Sequence, residues 1–347
     1  MVDTGYQYRI LLLRYDLAMP ERLSTNQDLF LITGGAGFIG SHLADKLIEL
    51  GSSVVILDDL STGSIGNIQH LKSHPRLKII QGSILDSNLV KDLVSECSQV
   101  FHLGAAVGVA NIMQSPLESF KINIDGTENV LRACLEFERR VVLTSSSEIY
   151  GKNSSGTLNE NSDRVLGSPE KFRWLYSEAK AIDETFSMIF HQTGLDVRIV
   201  RLFNTVGPRQ SHKYGMVLPS FVKAALDGRP LNIHGDGSQT RCFIHVHDVV
   251  AALLTVMKLD QISGEVFNIG NPEETSILKL AQDVIALTNS SSIITFSDYE
   301  AIYPTGFEDM SRRVPDIAKA RAILGWQPNI NLTQIIEETA SYYKKNN

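Results

Sequence analysis

Tyr176 and Lys180 stand four residues apart, in a segment where Leu175, Ala179, Ile182, Phe186 and Ile189 recur at helical spacing. That spacing places a phenol and an ammonium on one helix face. A neighbouring ammonium favours phenolate, so the pair predicts a tyrosine of lowered pKa working as a general base. The bland alternative is a surface pair. Upstream, Ser145-Ser146-Ser147-Glu148 follows the apolar run Val141 to Thr144 and precedes Ile149-Tyr150-Gly151. Hydroxyls at the end of that strand are expected to open on the same crevice as the tyrosine.

A second constellation says what else the crevice holds. Thr33-Gly34-Gly35-Ala36-Gly37-Phe38-Ile39-Gly40 follows the apolar Leu29 to Ile32 and leads into a helical pattern. Gly34 permits a tight strand-to-helix turn, Gly37 lets backbone approach a pyrophosphate, and Gly40 lets helix pack on strand. The helix N-terminus, beginning with Phe38 and Ile39, offers unpaired N–H groups to phosphate. Asp58 ends the next strand, Val54 to Leu57, 18 residues beyond Gly40. A carboxylate there meets ribose hydroxyls and repels a 2′-phosphate, favouring NAD over NADP, and the positive nicotinamide joins Lys180 in favouring a Tyr176 phenolate. Asp59 reads as a solvated loop residue.

These groups need a frame. Strands are predicted at Leu29 to Thr33, Val54 to Asp58, Leu77 to Gln81, Val100 to Leu103, Val141 to Thr144 and Val197 to Arg201, with helices near 38–50, 87–95, 118–138 and 174–193. Six strands alternating with helices make an α/β Rossmann fold, a doubly wound parallel sheet. Past Leu202 glycine and proline become denser, marking a smaller C-terminal substrate-binding lobe. The expected organisation is an extension over 1–28, a NAD-binding domain over 29–203, and a lobe over 204–347 of which about 240–268 returns to the first domain. Ligand sits between the two, at the carboxyl ends of the strands.

With 347 residues, 43% hydrophobic and 20% charged, the chain can bury a large core. A net charge of −7 argues against nucleic acid as partner. Cys97, Cys134 and Cys242 form no C-x-x-C pair, so neither a disulfide framework nor a zinc site is expected, and the cytoplasm is the natural compartment. His245, His247 and Asp248 share one short stretch, yet structural roles are expected and no metal. His102 is likewise read as support for the fourth strand. Ile10 to Leu13 is too short for a signal or membrane segment, and no later run approaches a membrane span.

Taken in order, TGGAGFIG at 33–40, VVILDDLSTG at 54–63, VFHLGAA at 100–106, TSSSEIYG at 144–151, YSEAK at 176–180, RLFNTVGPRQ at 201–210, GDGSQTRCFIHVHD at 235–248 and RRVPDIAKA at 312–320 resemble the extended short-chain dehydrogenase/reductases, specifically the NAD-dependent nucleotide-sugar epimerases, dehydratases and decarboxylases. The resemblance covers about residues 29–330. It implies that Ser146 holds the catalytic Ser/Thr position, that Tyr176 takes the proton of a sugar 4-hydroxyl, and that Lys180 holds the nicotinamide ribose. It further implies that Asn204, Arg241 and Arg313 hold the substrate diphosphate, a task suited to the planar guanidinium fork. Asn123 faces the crevice in such proteins, where packing, capping and catalysis are all open to it. Many relatives carry Gly-Asp-Ile after the third strand to contact adenine; this chain has Gly82-Ser83-Ile84, leaving Ser83 and Ile84 at that contact.

Glu148 is the discriminating residue among the family's reactions. Decarboxylases and dehydratases resemble this chain in having Glu two before Tyr150; the dTDP-glucose 4,6-dehydratases add an Asp where Ser147 stands, whereas GDP-mannose-type dehydratases have Ser-Glu as here. Lys171-Phe172-Arg173-Trp174-Leu175-Tyr176 looks most like the UDP-glucuronate decarboxylases. The expected functions are therefore, in order, UDP-glucuronate decarboxylase, UDP-hexose or UDP-hexuronate 4-epimerase, and 4,6-dehydratase, with a non-catalytic NAD-binding regulatory protein as the remote alternative. The partner expected is a nucleotide-diphosphate sugar, UDP-linked. Relatives pair as homodimers through the helices near 118–138 and 174–193. Leu117, Phe120, Ile124, Val130 and Leu131 offer apolar surface for that or for packing on the sheet.

Overall fold

Short apolar runs pair into one seven-stranded sheet in the computed structural model, which describes residues 28–108, 112, 114–154, 156–212, 216–298, 310 and 312–346. The extension expected over 1–28 lies, Asp28 apart, outside the described residues. The strands are β1 (Leu29–Thr33), β2 (Ser53–Asp58), β3 (Leu77–Gln81), β4 (Gln99–His102), β5 (Arg140–Ser146), β6 (Val197–Leu202) and β7 (Val266–Ile269). Their order is β7-β6-β5-β4-β1-β2-β3, with every pairing parallel. The seventh strand extends the six expected: Val266 lies opposite Ile199 and Ile269 opposite Leu202.

Continuous hydrophobic runs suit strands covered on both faces. In β1, Phe30 and Ile32 enter the core lined by α1 (Phe38–Glu49), while Leu31 enters the opposite core, lined by α2 (Ser87–Glu96) and α3 (Pro116–Glu136). Helix α4 (Leu175–Gln192) packs beside α3 on that second face. Val130 and Leu131 are fully buried in the second core, so sheet packing claims them; Leu117 remains 71% exposed.

Helices α5 (Val217–Leu226), α7 (Ile277–Thr288) and α8 (Leu332–Lys345) gather around a third core with the strands Leu231–His234 and Ile294–Ser297. Helix α6 (Val246–Lys258) lies in the first core instead, against α1. The three cysteines are free and buried. No helix among the described residues is long and apolar enough to cross a membrane.

Strand order reverses beside β1, so the carboxyl ends of β1, β2, β4 and β5 open around one crevice. The turn leaving β1 demands glycine twice. Gly34 has φ +70°, and a Cβ there would lie 2.8 Å from the Gly104 nitrogen. A Cβ on Gly40 would strike the Gly34 carbonyl oxygen.

Candidate active site

Helix α4 brings Tyr176, Lys180 and Asp183 onto one face, turned towards the end of β5. Ser146, the last residue of β5, accepts a hydrogen bond from the Glu148 amide at 3.2 Å, and its hydroxyl is hydrogen-bonded with Tyr176. Lys180 Nζ donates to Asp183 Oδ2 at 3.1 Å. The tyrosine, serine and lysine expected from the sequence therefore do meet. The expected lowering of the Tyr176 pKa does not appear in the protein alone. Burial pushes the phenol above its ordinary value, Lys180 pulls it down, and Glu148 and Asp183 push it up again.

Beneath this face runs a buried polar floor. His102 Nδ1 meets Thr33 Oγ1 at 2.7 Å and its Nε2 meets Thr127 Oγ1 at 3.0 Å, while Thr33 Oγ1 also accepts from the Gly104 amide at 3.0 Å. Burial, aided by the Lys180 charge, pushes the His102 pKa down to about 3, so the ring is neutral and structural as expected. Asn123 clamps Ala106, its Oδ1 accepting from the Ala106 amide at 2.7 Å and its Nδ2 donating to the Ala106 carbonyl at 3.2 Å. Tyr150 donates to Asn268 Oδ1 at 2.7 Å and accepts from Arg201 Nη1 at 2.8 Å; Arg201 also donates to Glu184 Oε2 through Nη2 at 2.7 Å.

On the other side of the crevice the residues fit a dinucleotide. Among the described residues no side chain caps the N-terminus of α1, where Phe38 and Ile39 are half-buried, so its first N–H groups suit a phosphate. The buried Asp58 accepts from the Ala36 amide through Oδ2 and from the Leu60 amide through Oδ1, each at 2.8 Å, which ties the carboxylate to the glycine turn. Asp59 is exposed and bonds Ser61. Ser83 Oγ accepts from the Leu85 amide at 3.2 Å, and Ile84 is buried.

The sugar side is dominated by one carboxylate between two guanidinium groups. Glu148 Oε2 accepts from Arg173 Nη1 at 2.8 Å and Oε1 from Arg313 Nη1 at 2.7 Å. Burial works against the charge of Glu148, yet Arg313 and Arg173 outweigh it and hold its pKa at about 2. Arg313 Nη2 donates to Asn204 Oδ1 at 3.0 Å, and Asn204 Nδ2 donates to the Cys242 carbonyl at 3.0 Å. Arg241, half-buried, donates to the Thr240 carbonyl at 2.8 Å. Asn204 and Arg313 are thus brought together, at Glu148.

A family model described as GDP-mannose 4,6 dehydratase matches residues 31–339. The chain belongs to this family. Its relatives include the UDP-N-acetyl-alpha-D-glucosaminuronate decarboxylase of Bacillus cytotoxicus, 41% identical over 91% of this chain and 97% of the relative. UDP-glucuronic acid decarboxylase 1 of Danio rerio is 37% identical over 91% of this chain and 72% of its own length. Among solved structures, the UDP-glucuronic acid 4-epimerase of Bacillus cereus, in complex with UDP-glucuronic acid and NAD, matches with a TM-score of 0.83 at 28% identity, over 92% of this chain and 100% of that one. The resemblance drawn from the motifs is borne out.

Within this GDP-mannose 4,6-dehydratase-family site, sequence reasoning missed Arg173 and Asp183 as functional groups. For Arg173 the available clue was its place just ahead of Trp174 and Tyr176; for Asp183 it was a carboxylate three residues after the site lysine. His245, His247 and Glu338 come close enough to hold a cation. However, His245 Nδ1 accepts from the His247 amide at 3.1 Å, so the ring's proton belongs on Nε2, which faces Glu338 Oε2 at 3.2 Å. A neutral imidazole has one acceptor nitrogen, and here it caps α6. Asp248 turns elsewhere, accepting from the Asn329 and Ile330 amides at 3.1 Å.

Proposed function

We propose that this protein is an NAD-dependent UDP-hexuronate decarboxylase, with UDP-glucuronate as substrate. The reading rests on the Arg173–Glu148–Arg313 clamp. The glycine turn and Asp58 would hold the dinucleotide, which would supply a hydride acceptor for C4 of the sugar. Tyr176 takes the proton of the 4-hydroxyl, Ser146 shares the 4-oxygen through a hydrogen bond, and Lys180 holds the nicotinamide ribose. Oxidation at C4 turns the C6 carboxylate into a β-keto acid, whose C5–C6 bond breaks to release carbon dioxide. The electrons left behind form an enolate across C4 and C5, held by the donors on the 4-oxygen. Protonation at C5 from water, with the hydride returned to C4 and the Tyr176 proton to the 4-oxygen, completes the turnover.

Dehydration would instead need an acid to expel a C6 hydroxyl. With its pKa held at about 2, Glu148 has no proton to give at neutral pH, and the adjacent Ser147 is not an acid. Loss of carbon dioxide needs no such acid. Two guanidinium groups against one carboxylate also leave a net positive site for an anionic sugar. Arg313 Nε is a buried donor without a protein partner among the described residues; Asn204, bonded to Arg313, and Arg241 would join it in contacting the substrate's anionic groups.

We further infer a cytoplasmic homodimer joined through α3 and α4, where Leu117 and Ile189 are 71% and 52% exposed. One alternative has specific support, a UDP-hexuronate 4-epimerase, because the Bacillus cereus relative of that name was crystallised with UDP-glucuronic acid. NMR of products from UDP-glucuronate and its 2-acetamido analogue separates them. Carbon dioxide and a UDP-pentose are expected; a UDP-hexuronate with its carboxylate intact and C4 inverted would replace the decarboxylase by the epimerase.

A further inference from the structure

Asp183 takes no part in the chemistry derived above, yet it lies where a carboxylate is costly. Its side chain is 0% exposed and that of Lys180 is 3% exposed, with Nζ and Oδ2 3.1 Å apart. The two are one turn apart on α4, and Tyr176 lies one further turn towards the N-terminus of the same face. A buried ion survives only when paired. Among the described residues, Asp183, Tyr176 and Glu184 act most on the charge of Lys180, and neutral His102 feels it across the floor. Glu184 is already taken by Arg201, at 2.7 Å. Asp183 is therefore the carboxylate that serves the lysine. Burial pushes the Asp183 pKa up, against the pull of Lys180 and of a hydrogen bond with Thr127 on α3, which anchors the pair to the same floor that carries His102 and Thr33.

We propose that Asp183 is a positioning residue of the reaction, the fixed counterion that keeps Lys180 charged and aimed along the Tyr176 face of α4. This rests on the role given to Lys180 in the proposed function. Without the carboxylate, Lys180 would be a desolvated, unpaired ammonium, and burial would drive it to shed its proton within the working pH range. The Lys180 charge that pulls the Tyr176 pKa down, against burial and Glu148, would then depend on pH.

The test compares wild type with Asp183→Asn, which keeps shape and removes charge, and with Asp183→Ser in case the amide folds poorly. Lysine labelled with 13C at Cε reports Lys180 protonation directly, its signal assigned by its loss in Lys180→Met. In wild type the Lys180 signal should stay at its protonated position to above pH 10. In both variants it should titrate at least two pH units lower, within the roughly 3–5 unit range open to buried lysines. With UDP-glucuronate as substrate, kcat/KM of the variants should fall about 10- to 100-fold on the alkaline side, with the same midpoint. Variants whose Lys180 stays protonated and whose pH profile parallels wild type would reduce Asp183 to a packing residue, even if melting temperature drops. Should wild type turn over no hexuronate, the substrate reading fails, while the 13C titration still decides the role of Asp183.

Discussion

Replacing Glu148 by Gln removes the anion between Arg173 and Arg313 while keeping the volume of the side chain. The carboxyl is held at about 2 against an ordinary 4.5, and each tenfold change in proton affinity is worth about 1.4 kcal/mol. The clamp therefore favours the ionised form by roughly 3 kcal/mol. Because the Glu148 side chain is 17% exposed and both arginine side chains 6%, solvent screens little of this. An amide can accept from one guanidinium but must turn its NH2 towards the other, so Glu148→Gln should lose roughly 2–4 kcal/mol. At about 2–4 °C per kcal/mol for a large domain, the melting temperature should fall by on the order of 5–15 °C at pH 7. The sign of the pH dependence follows from the depressed folded pKa: the clamp's contribution is complete above about 4.5 and is lost as pH falls towards 2. The gap between wild type and variant should thus be flat from pH 8 to 5 and shrink below 4.5, read by thermal melts across that range. Equal melting temperatures at pH 7 would refute the clamp as a buried, mutually stabilising triad.

Tyr176→Phe should cut turnover by about two to four orders of magnitude, the usual worth of a positioned acid or base; a near-wild-type rate removes Tyr176 from proton transfer. Asp58→Ala should weaken NAD binding much more than NADP binding by calorimetry, because only NAD presents the hydroxyls a carboxylate can hold, and equal losses would count against that contact. Leu117→Glu places a charge on a residue 71% exposed in the single chain. If α3 forms the dimer interface, sedimentation should show monomers of unchanged melting behaviour at low protein concentration, and an unaltered assembly state would place the interface elsewhere.

Much of the frame is legible in the sequence because its strands are dictated locally. Runs such as Phe30-Leu31-Ile32 and Val54-Val55-Ile56-Leu57 are apolar, bounded by turns and buried on both faces, and all six expected strands stand within two residues of their predicted bounds. The seventh escapes because it is four residues long and contains Asn268. That buried amide is satisfied by Leu158 and Tyr150, more than 100 residues away in sequence. The site divides in the same way. Tyr176 and Lys180 are legible together through helical spacing, whereas Glu148 meets Arg313 across 165 residues. The raised pKa of Tyr176 in the protein alone has a related reason: spacing reveals the nearby ammonium but neither the burial nor the two carboxylates that oppose it, and the expected lowering also counts the nicotinamide's charge.

Charge is distributed unevenly across the crevice, and the unevenness separates two tasks. Along α4 the buried charges cancel in pairs, Lys180 with Asp183 and Glu184 with Arg201. The face is therefore close to neutral in the protein alone, where the phenol of Tyr176 is raised; on the proposed mechanism a positively charged nicotinamide would favour its ionisation. Across from it, two arginines outnumber Glu148. A neutral hexose gains nothing from that surplus, whereas a sugar carboxylate is drawn to it. Changes on α4 should accordingly slow C4 oxidation of any sugar, while changes at Arg173 or Arg313 should alter which sugar is accepted and what becomes of its ketone.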